Sequence, residues 1–214
     1  MNILSLCDYS GNILKPWAEA GHTCYAIDIR NDNRSAFYTN YETRDVTGVI
    51  QYIEGDIRTF IPPLQKYDII FAFPPCTNLA ISGARWFQQK GLHGLIEGLE
   101  LVEACKRICE AGELGGARWM LENPVSTLSS YWRKPDHIFH PYEYAGYLED
   151  SAEEAYPKKT CLWTGGGFKM PEKKSVDVLN KEKIHNMPET EDRGFLRSVT
   201  PMGFSKAVFE ANSK

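Results

Sequence analysis

Two short stretches carry side chains that could do chemistry. The first is Phe73-Pro74-Pro75-Cys76-Thr77-Asn78, which presents one thiol behind two prolines. The second is Glu122-Asn123-Pro124, a carboxyl and an amide pinned by a third proline. A thiol reacts as the thiolate, so a nucleophilic Cys76 needs positive charge or backbone amides nearby. A carboxyl at neutral pH acts as an acid only if its surroundings raise its pKa, so Glu122 needs a site that disfavours its charge. An isolated cysteine is usually a small core hydrophobe. The Pro-Pro frame and the polar residues after Cys76 argue instead for a stiff, accessible loop.

These residues need strands to hold them. Ile69 to Phe73 is a short unbroken apolar run, as expected of a strand covered on both faces of a parallel sheet. Trp119-Met120-Leu121 runs straight into Glu122. Asn2 to Cys7 reads as a first strand, followed by the turn Asp8-Tyr9-Ser10-Gly11-Asn12. A helix then spans Ile13 to Ala20, stopped by Gly21. Thr23 to Ile29 is a second strand, with Asp28 near its end, and Val49 to Glu54 a third, followed by Gly55-Asp56-Ile57. Strand, polar turn, helix, strand and acid make a nucleotide-binding βαβ unit, although Gly11 is the turn's one glycine. Asp28 suits ribose hydroxyls and Asp56 an adenine amino group; the alternatives are a solvated acid and a turn cap.

The remainder reads as a loop over 30–48, a helix over Gly94 to Ala111, a strand within 137–147 and another over Thr160 to Thr164. A polar stretch from Phe168 to Asp192 follows, then a short amphipathic helix over Gly203 to Asn212. The expected class is α/β, a mostly parallel central sheet with helices on both faces.

The net charge of −4 gives no overall electrostatic footprint for nucleic acid, so any such contact must come from a local patch. The six cysteines form no CxxC pair, which argues against a disulfide framework and a zinc cluster. Cys105 and Cys109, four apart on a helix, read as packing. His137 and His140 read as structural, and no metal site is expected. With no signal-peptide pattern and no membrane-length apolar run, a cytoplasmic location and no membrane partner are expected.

Taken together, the strand exits resemble the cytosine-C5 DNA methyltransferase family, over Ile3 to about Trp163 with a looser echo at the carboxyl terminus. Phe-Pro-Pro-Cys76 is similar to the family's nucleophile motif and Glu122-Asn123-Pro124 to its acid motif, about 46 residues on. The resemblance implies a Rossmann-like fold that uses S-adenosylmethionine. It implies Cys76, Glu122 and Asn123 as catalytic residues, and Asp8, Ser10, Gly11, Asp28, Asp56, Ile57 and Pro74 around the cofactor. Pro75, Thr77, Arg85, Lys158 and Lys159 would meet the substrate, a DNA cytosine that is flipped out or single-stranded. The chain departs from the pattern at Asn12, where the family prefers Gly, and at Pro157-Lys158-Lys159-Thr160, where the family carries arginines. The last helix lacks the family's Gly-Asn pair.

The implied organisation is a catalytic domain over 1–164, a reduced target-recognition region over 165–199 and a helix over 200–214 packing back on the first. Family members of this size are often encoded by phages or prophages. About 36 residues between Thr164 and Thr200 are few for reading bases in the major groove. A short or relaxed target sequence, or a protein partner that supplies specificity, is therefore expected. Two other readings are weighed. Amino-group methylation calls for an aromatic after the Pro-Pro, where this chain has Cys76. A catalytically silent fold that binds nucleic acid or a protein partner is favoured by the single-glycine turn, and opposed by the presence together of Cys76, Glu122, Asp28 and Asp56.

Overall fold

The computed structural model describes residues 1–40, 42–63, 65–184, 186 and 193–214, without the side chains of residues 193 and 195. Its strands are β1 (Asn2–Leu6), β2 (Thr23–Asp28), β3 (Arg34–Thr39), β4 (Val46–Glu54), β5 (Ile69–Ala72), β6 (Arg118–Pro124), β7 (His137–Phe139) and β8 (Thr160–Gly165). The helices are α1 (Lys15–Glu19), α2 (Phe87–Leu114), α3 (Leu128–Tyr131), α4 (Arg193–Ser198) and α5 (Met202–Asn212). Gly91, at φ 62°, interrupts α2 near its start.

All eight strands join one sheet in the order β3-β4-β2-β1-β5-β6-β8-β7. The five from β4 to β6 pair in parallel, while β3, β8 and β7 pair antiparallel at the two sides. The sheet is therefore mixed, and the expectation of a mostly parallel one is corrected. Only six residues separate β3 from β4, too few for the long crossover that a parallel pair requires, and β8 lies antiparallel between β6 and β7. The chain steps outward from β1 to β2 and β4, then returns to the other side of β1 to lay down β5. Such a reversal opens a crevice at the carboxyl ends of the strands.

Alternate residues of the central strands enter two separate cores. Leu4, Leu6, Ile70 and Ala72 face α2 and meet Val102, Cys105, Ile108 and Cys109. Ile3, Ile69 and Phe71 face the opposite way and meet Ile13, Trp17, Phe204 and Val208. Helices thus cover both faces of the sheet, which is why β5 is apolar throughout. The Trp17 ring meets Phe209 of α5 edge-on at 5.1 Å, joining the first helix to the last. Cys105 and Cys109 are fully buried in the α2 core.

The stretch 30–48, read as a loop, contains β3. Ala36 and Tyr38 turn toward the α1 core and Arg34 lies over the Tyr52 ring at 4.3 Å. Ser35, Phe37 and Thr39 are exposed. An edge strand buried on one face by so few side chains leaves a weak alternation in sequence. The helix of Gly94 to Ala111 extends in both directions as α2.

Gly48 marks the closest approach of β4 to α1. A Cβ there would fall far inside van der Waals contact with the Ala18 carbonyl oxygen, and backbone cannot swing away as a side chain would. Gly48→Ala should lower stability by about 2–3 kcal/mol, measured by urea unfolding. Gly83→Ala, whose Cβ meets nothing closer than 4.0 Å, should change it by less than about 1 kcal/mol.

Candidate active site

The crevice at the reversal point is a cavity of about 910 Å³. Its walls are the exits of β1, β2, β4, β5 and β6, the Lys158-Lys159 segment before β8, and the segment from α4 to Thr200. The chemistry-bearing residues therefore share one space because their strands run in parallel and end together.

One half of the cavity is built on the turn after β1. Cys7 at φ 55° and Gly11 at φ 64° both take the left-handed region, which folds the turn tightly enough to aim its backbone inward. A Cβ on Gly11 would strike the Tyr52 hydroxyl. Asp8 braces the turn from within: its carboxylate accepts from Ser5 Oγ at 2.8 Å, Ser10 Oγ at 3.0 Å and the Gly11 amide at 2.7 Å. Burial raises its pKa in spite of these donors. Asp28 and Asp56 stand at the exits of β2 and β4. Each is gripped by the arginine two residues on: Arg30 Nε donates to Asp28 Oδ1 at 3.0 Å, and Arg58 Nη2 to Asp56 Oδ2 at 2.6 Å. The Arg58 contacts hold the Asp56 carboxyl below its usual range. Ile29, Ile57, Phe73 and Leu101 supply apolar wall between the acids. Carboxylates that accept hydroxyl or amino protons, beside apolar wall and a tight turn, have the chemistry to hold a nucleoside.

The other half surrounds Cys76. The chain leaves β5 at Pro74-Pro75 and turns so that the Leu79 and Ala80 amides both donate to the Cys76 carbonyl at 2.9 Å. Asn123, fully buried on β6, donates from Nδ2 to the Pro74 carbonyl at 3.0 Å. Its Oδ1 is buried with no hydrogen-bond partner among the described residues. Glu122 and Cys76 both line the cavity. Burial pushes the Cys76 thiol up, the Glu122 charge pushes it further, and Lys158 and Arg197 pull it down. The Glu122 carboxyl is also raised by burial, against the pull of Lys158. The two acids therefore disfavour each other's negative charge, and Lys158 serves both.

Of the residues singled out from sequence, Asp8, Ser10, Asp28, Asp56, Ile57, Pro74, Pro75, Cys76, Thr77, Glu122, Lys158 and Lys159 all reach this cavity. Gly11 and Asn123 act from behind it, through the turn and the Pro74 carbonyl. Arg85 does not reach it; its guanidinium lies over the Trp86 ring, 5.1 Å from the centroid. Lys159 acts electrostatically on Cys161 and His140 rather than on Cys76.

Arg197 was not foreseen. It stands near the end of the short α4, in a stretch whose polar composition carries no strand or helix period. Residues 187–192 of the proposed recognition region lie outside the described residues. Among the described residues, no helix is long and apolar enough to cross a membrane. Lys158, Lys159 and Arg197 form no salt bridge among the described residues.

No family model matches the chain, and no curated protein matches its sequence. Among solved structures, it is similar to an E. coli protein described as a proposed DNA modification methyltransferase encoded within a prophage. The identity is 12%, the TM-score 0.42, and the match covers 89% of this chain and 56% of that one. The chain thus spans little more than half the length of that protein.

The charges around Cys76 predict how its alkylation by iodoacetamide depends on pH, followed residue by residue by mass spectrometry. The midpoint should lie above that of an ordinary thiol. Lys158→Gln should move it higher still, since it removes a cation. Glu122→Gln should move it lower, since it removes an anion. A Glu122→Gln midpoint at or above the unaltered one would contradict the coupling.

Proposed function

We propose that the chain transfers a methyl group from S-adenosylmethionine to C5 of cytosine in DNA, with Cys76 as the nucleophile. The observation that carries this is one cavity holding the thiol of Cys76, the raised carboxyl of Glu122 and Lys158 at one end and the Asp28 and Asp56 carboxylates at the other. S-adenosylmethionine, when bound, supplies the methyl group as an electrophile. Asp28 would take its ribose hydroxyls and Asp56 its amino group, while the turn braced by Asp8 holds its chain.

Cytosine C5 is a weak nucleophile until a nucleophile adds to C6. Cys76 gives up its proton to solvent, its Sγ forms a bond to C6 as the C5–C6 double bond opens, and electron density moves to C5. Glu122, whose carboxyl burial raises, hydrogen-bonds N3 in its protonated form and gives it the proton that offsets the added charge. The same proton has a second effect. A neutral Glu122 no longer raises the Cys76 thiol, so the base that meets a protonated Glu122 also meets a thiol easier to ionise. C5 then takes the methyl group and S-adenosylhomocysteine leaves; loss of the C5 proton to water with elimination of the thiolate, and return of the N3 proton to Glu122, restore the ring and release Cys76. Asn123 keeps the Cys76 loop on the edge of β6 throughout.

The ring is inaccessible to this attack inside a duplex, so the target nucleotide must be extruded or unpaired. Lys158, Lys159 and Arg197, without carboxylate partners among the described residues, give the thiol half of the cavity the positive charge that an adjoining phosphate needs. They supply a local patch where the net charge of −4 supplies none.

A second reading has an observation of its own. The Asp28–Arg30 and Asp56–Arg58 pairs already occupy both acids expected to hold the cofactor, as a silent binding fold would allow. Calorimetry with S-adenosylhomocysteine separates the two readings, because a silent fold binds none.

The reaction itself is tested with labelled S-adenosylmethionine on duplex DNA, single-stranded DNA, RNA and free dCTP. Label should appear as 5-methylcytosine in DNA and vanish with Cys76→Ala. Glu122→Gln should slow transfer by about 100-fold or more. Label in adenine, or label that persists in Cys76→Ala, would overturn the proposal.

A further inference from the structure

We infer that Cys7 and Cys105 are an oxidative modification site: a dithiol that a hydroperoxide converts into an intramolecular disulfide joining the turn after β1 to helix α2. The two sulfurs lie 3.8 Å apart although their residues are 98 apart in sequence. A disulfide needs about 2.05 Å, so about 1.8 Å must close, which is within reach of side-chain rotation and a small shift of the turn.

The two thiols are unequal in access. Cys7 is half-buried and lines the cavity. Cys105 is fully buried. It continues a helical stripe of Glu97 and Leu101, both of which line the same cavity, at the four-residue spacing of one α-helical face. The neighbouring Cys7 sulfur and then burial push the Cys105 thiol up. Of the pair, Cys7 is the thiol that an oxidant entering the cavity meets. The proposed methyl transfer uses neither thiol, since Cys76 sits at the exit of another strand.

The chemistry balances in two steps. Cys7 sulfur attacks the peroxide, the O–O bond breaks, and Cys7 becomes a sulfenic acid with release of one water or alcohol. Cys105 sulfur then displaces the hydroxyl, which leaves as water with the Cys105 proton, and the S–S bond forms. Two thiols lose two electrons in total and the peroxide gains them. With Cys105 already in contact, the sulfenic acid is captured before a second peroxide can carry it to the irreversible sulfinic acid.

The test treats the whole protein with a few equivalents of hydrogen peroxide and reads the bond directly. The intact mass should fall by about 2 Da, the loss of two hydrogens in forming a disulfide. Thiols titrated in denaturant should fall from six to four, six less the two joined. Fragmentation should find Cys7 linked to Cys105, and dithiothreitol should restore all six. Cys105→Ala and Cys7→Ala should each abolish the link, with Cys7 in the first variant passing on to the sulfinic acid. A sulfinic acid on Cys7 of the unaltered protein with Cys105 still free would overturn the inference. A disulfide that survives in both variants, or that joins two chains, would overturn it equally. Because the mapping reads the bond and not the methyl transfer, it stands or falls independently of the reaction proposed above.

Discussion

The hydrogen bond from Asn123 to the Pro74 carbonyl fixes the relation between the two halves of the chemistry. Pro74 lies two residues past the end of β5, where the chain leaves the sheet, and Pro75 has no amide to offer a neighbour. The Pro74 carbonyl would thus be an unpaired polar group at the edge of a core, at a cost of about 1–3 kcal/mol. Asn123 removes that cost and, in doing so, joins the strand that carries Glu122 to the loop that carries Cys76. The two prolines stiffen the loop and the amide anchors it. The spacing between thiol and carboxyl is therefore set by parallel β5–β6 pairing together with one side chain.

Electrostatics follow from that spacing. Two acids beside one cavity, both partly cut off from water, cannot easily both be charged. Lys158 offsets part of the penalty for each of them, and Arg197 does so for Cys76. Burial thus raises both groups, and the nearby cations limit the rise. The opposite half of the cavity is built differently. Asp28 and Asp56 pair with arginines, and Asp8 is spent inside its own turn. A ligand's hydroxyl and amino groups must therefore share Asp28 and Asp56 with their arginines.

Much of this was legible in the sequence, and for identifiable reasons. The exits of β1, β2, β4, β5 and β6 could be read because largely apolar runs end at or shortly before Asp8, Asp28, Asp56, Pro74 and Glu122, and because strands of one parallel sheet end on one edge. The two-sided burial of β5 follows directly from Ile69-Ile70-Phe71-Ala72. The mixed character of the sheet was not legible. Its antiparallel members are an edge strand with two inward side chains, β3, a three-residue strand, β7, and β8, whose pairing direction depends on the path of the chain before it. Arg197 was missed because a short helix among polar residues has no period to detect, and its value comes from where the chain returns over the cavity. Arg85 was over-read: a cation close in sequence to Cys76 found a nearer partner in the Trp86 ring. The Cys7–Cys105 contact was invisible because nothing local links residues 98 apart.

The central claim is that Cys76 becomes covalently bonded to the target base. It is tested most directly with DNA containing 5-fluorocytosine and S-adenosylmethionine, because fluorine at C5 cannot leave as a proton and elimination stalls. The account predicts a stable adduct of protein and DNA, mapped to Cys76 and absent in Cys76→Ala. Methylation of ordinary cytosine with no such adduct on fluorinated DNA would contradict it.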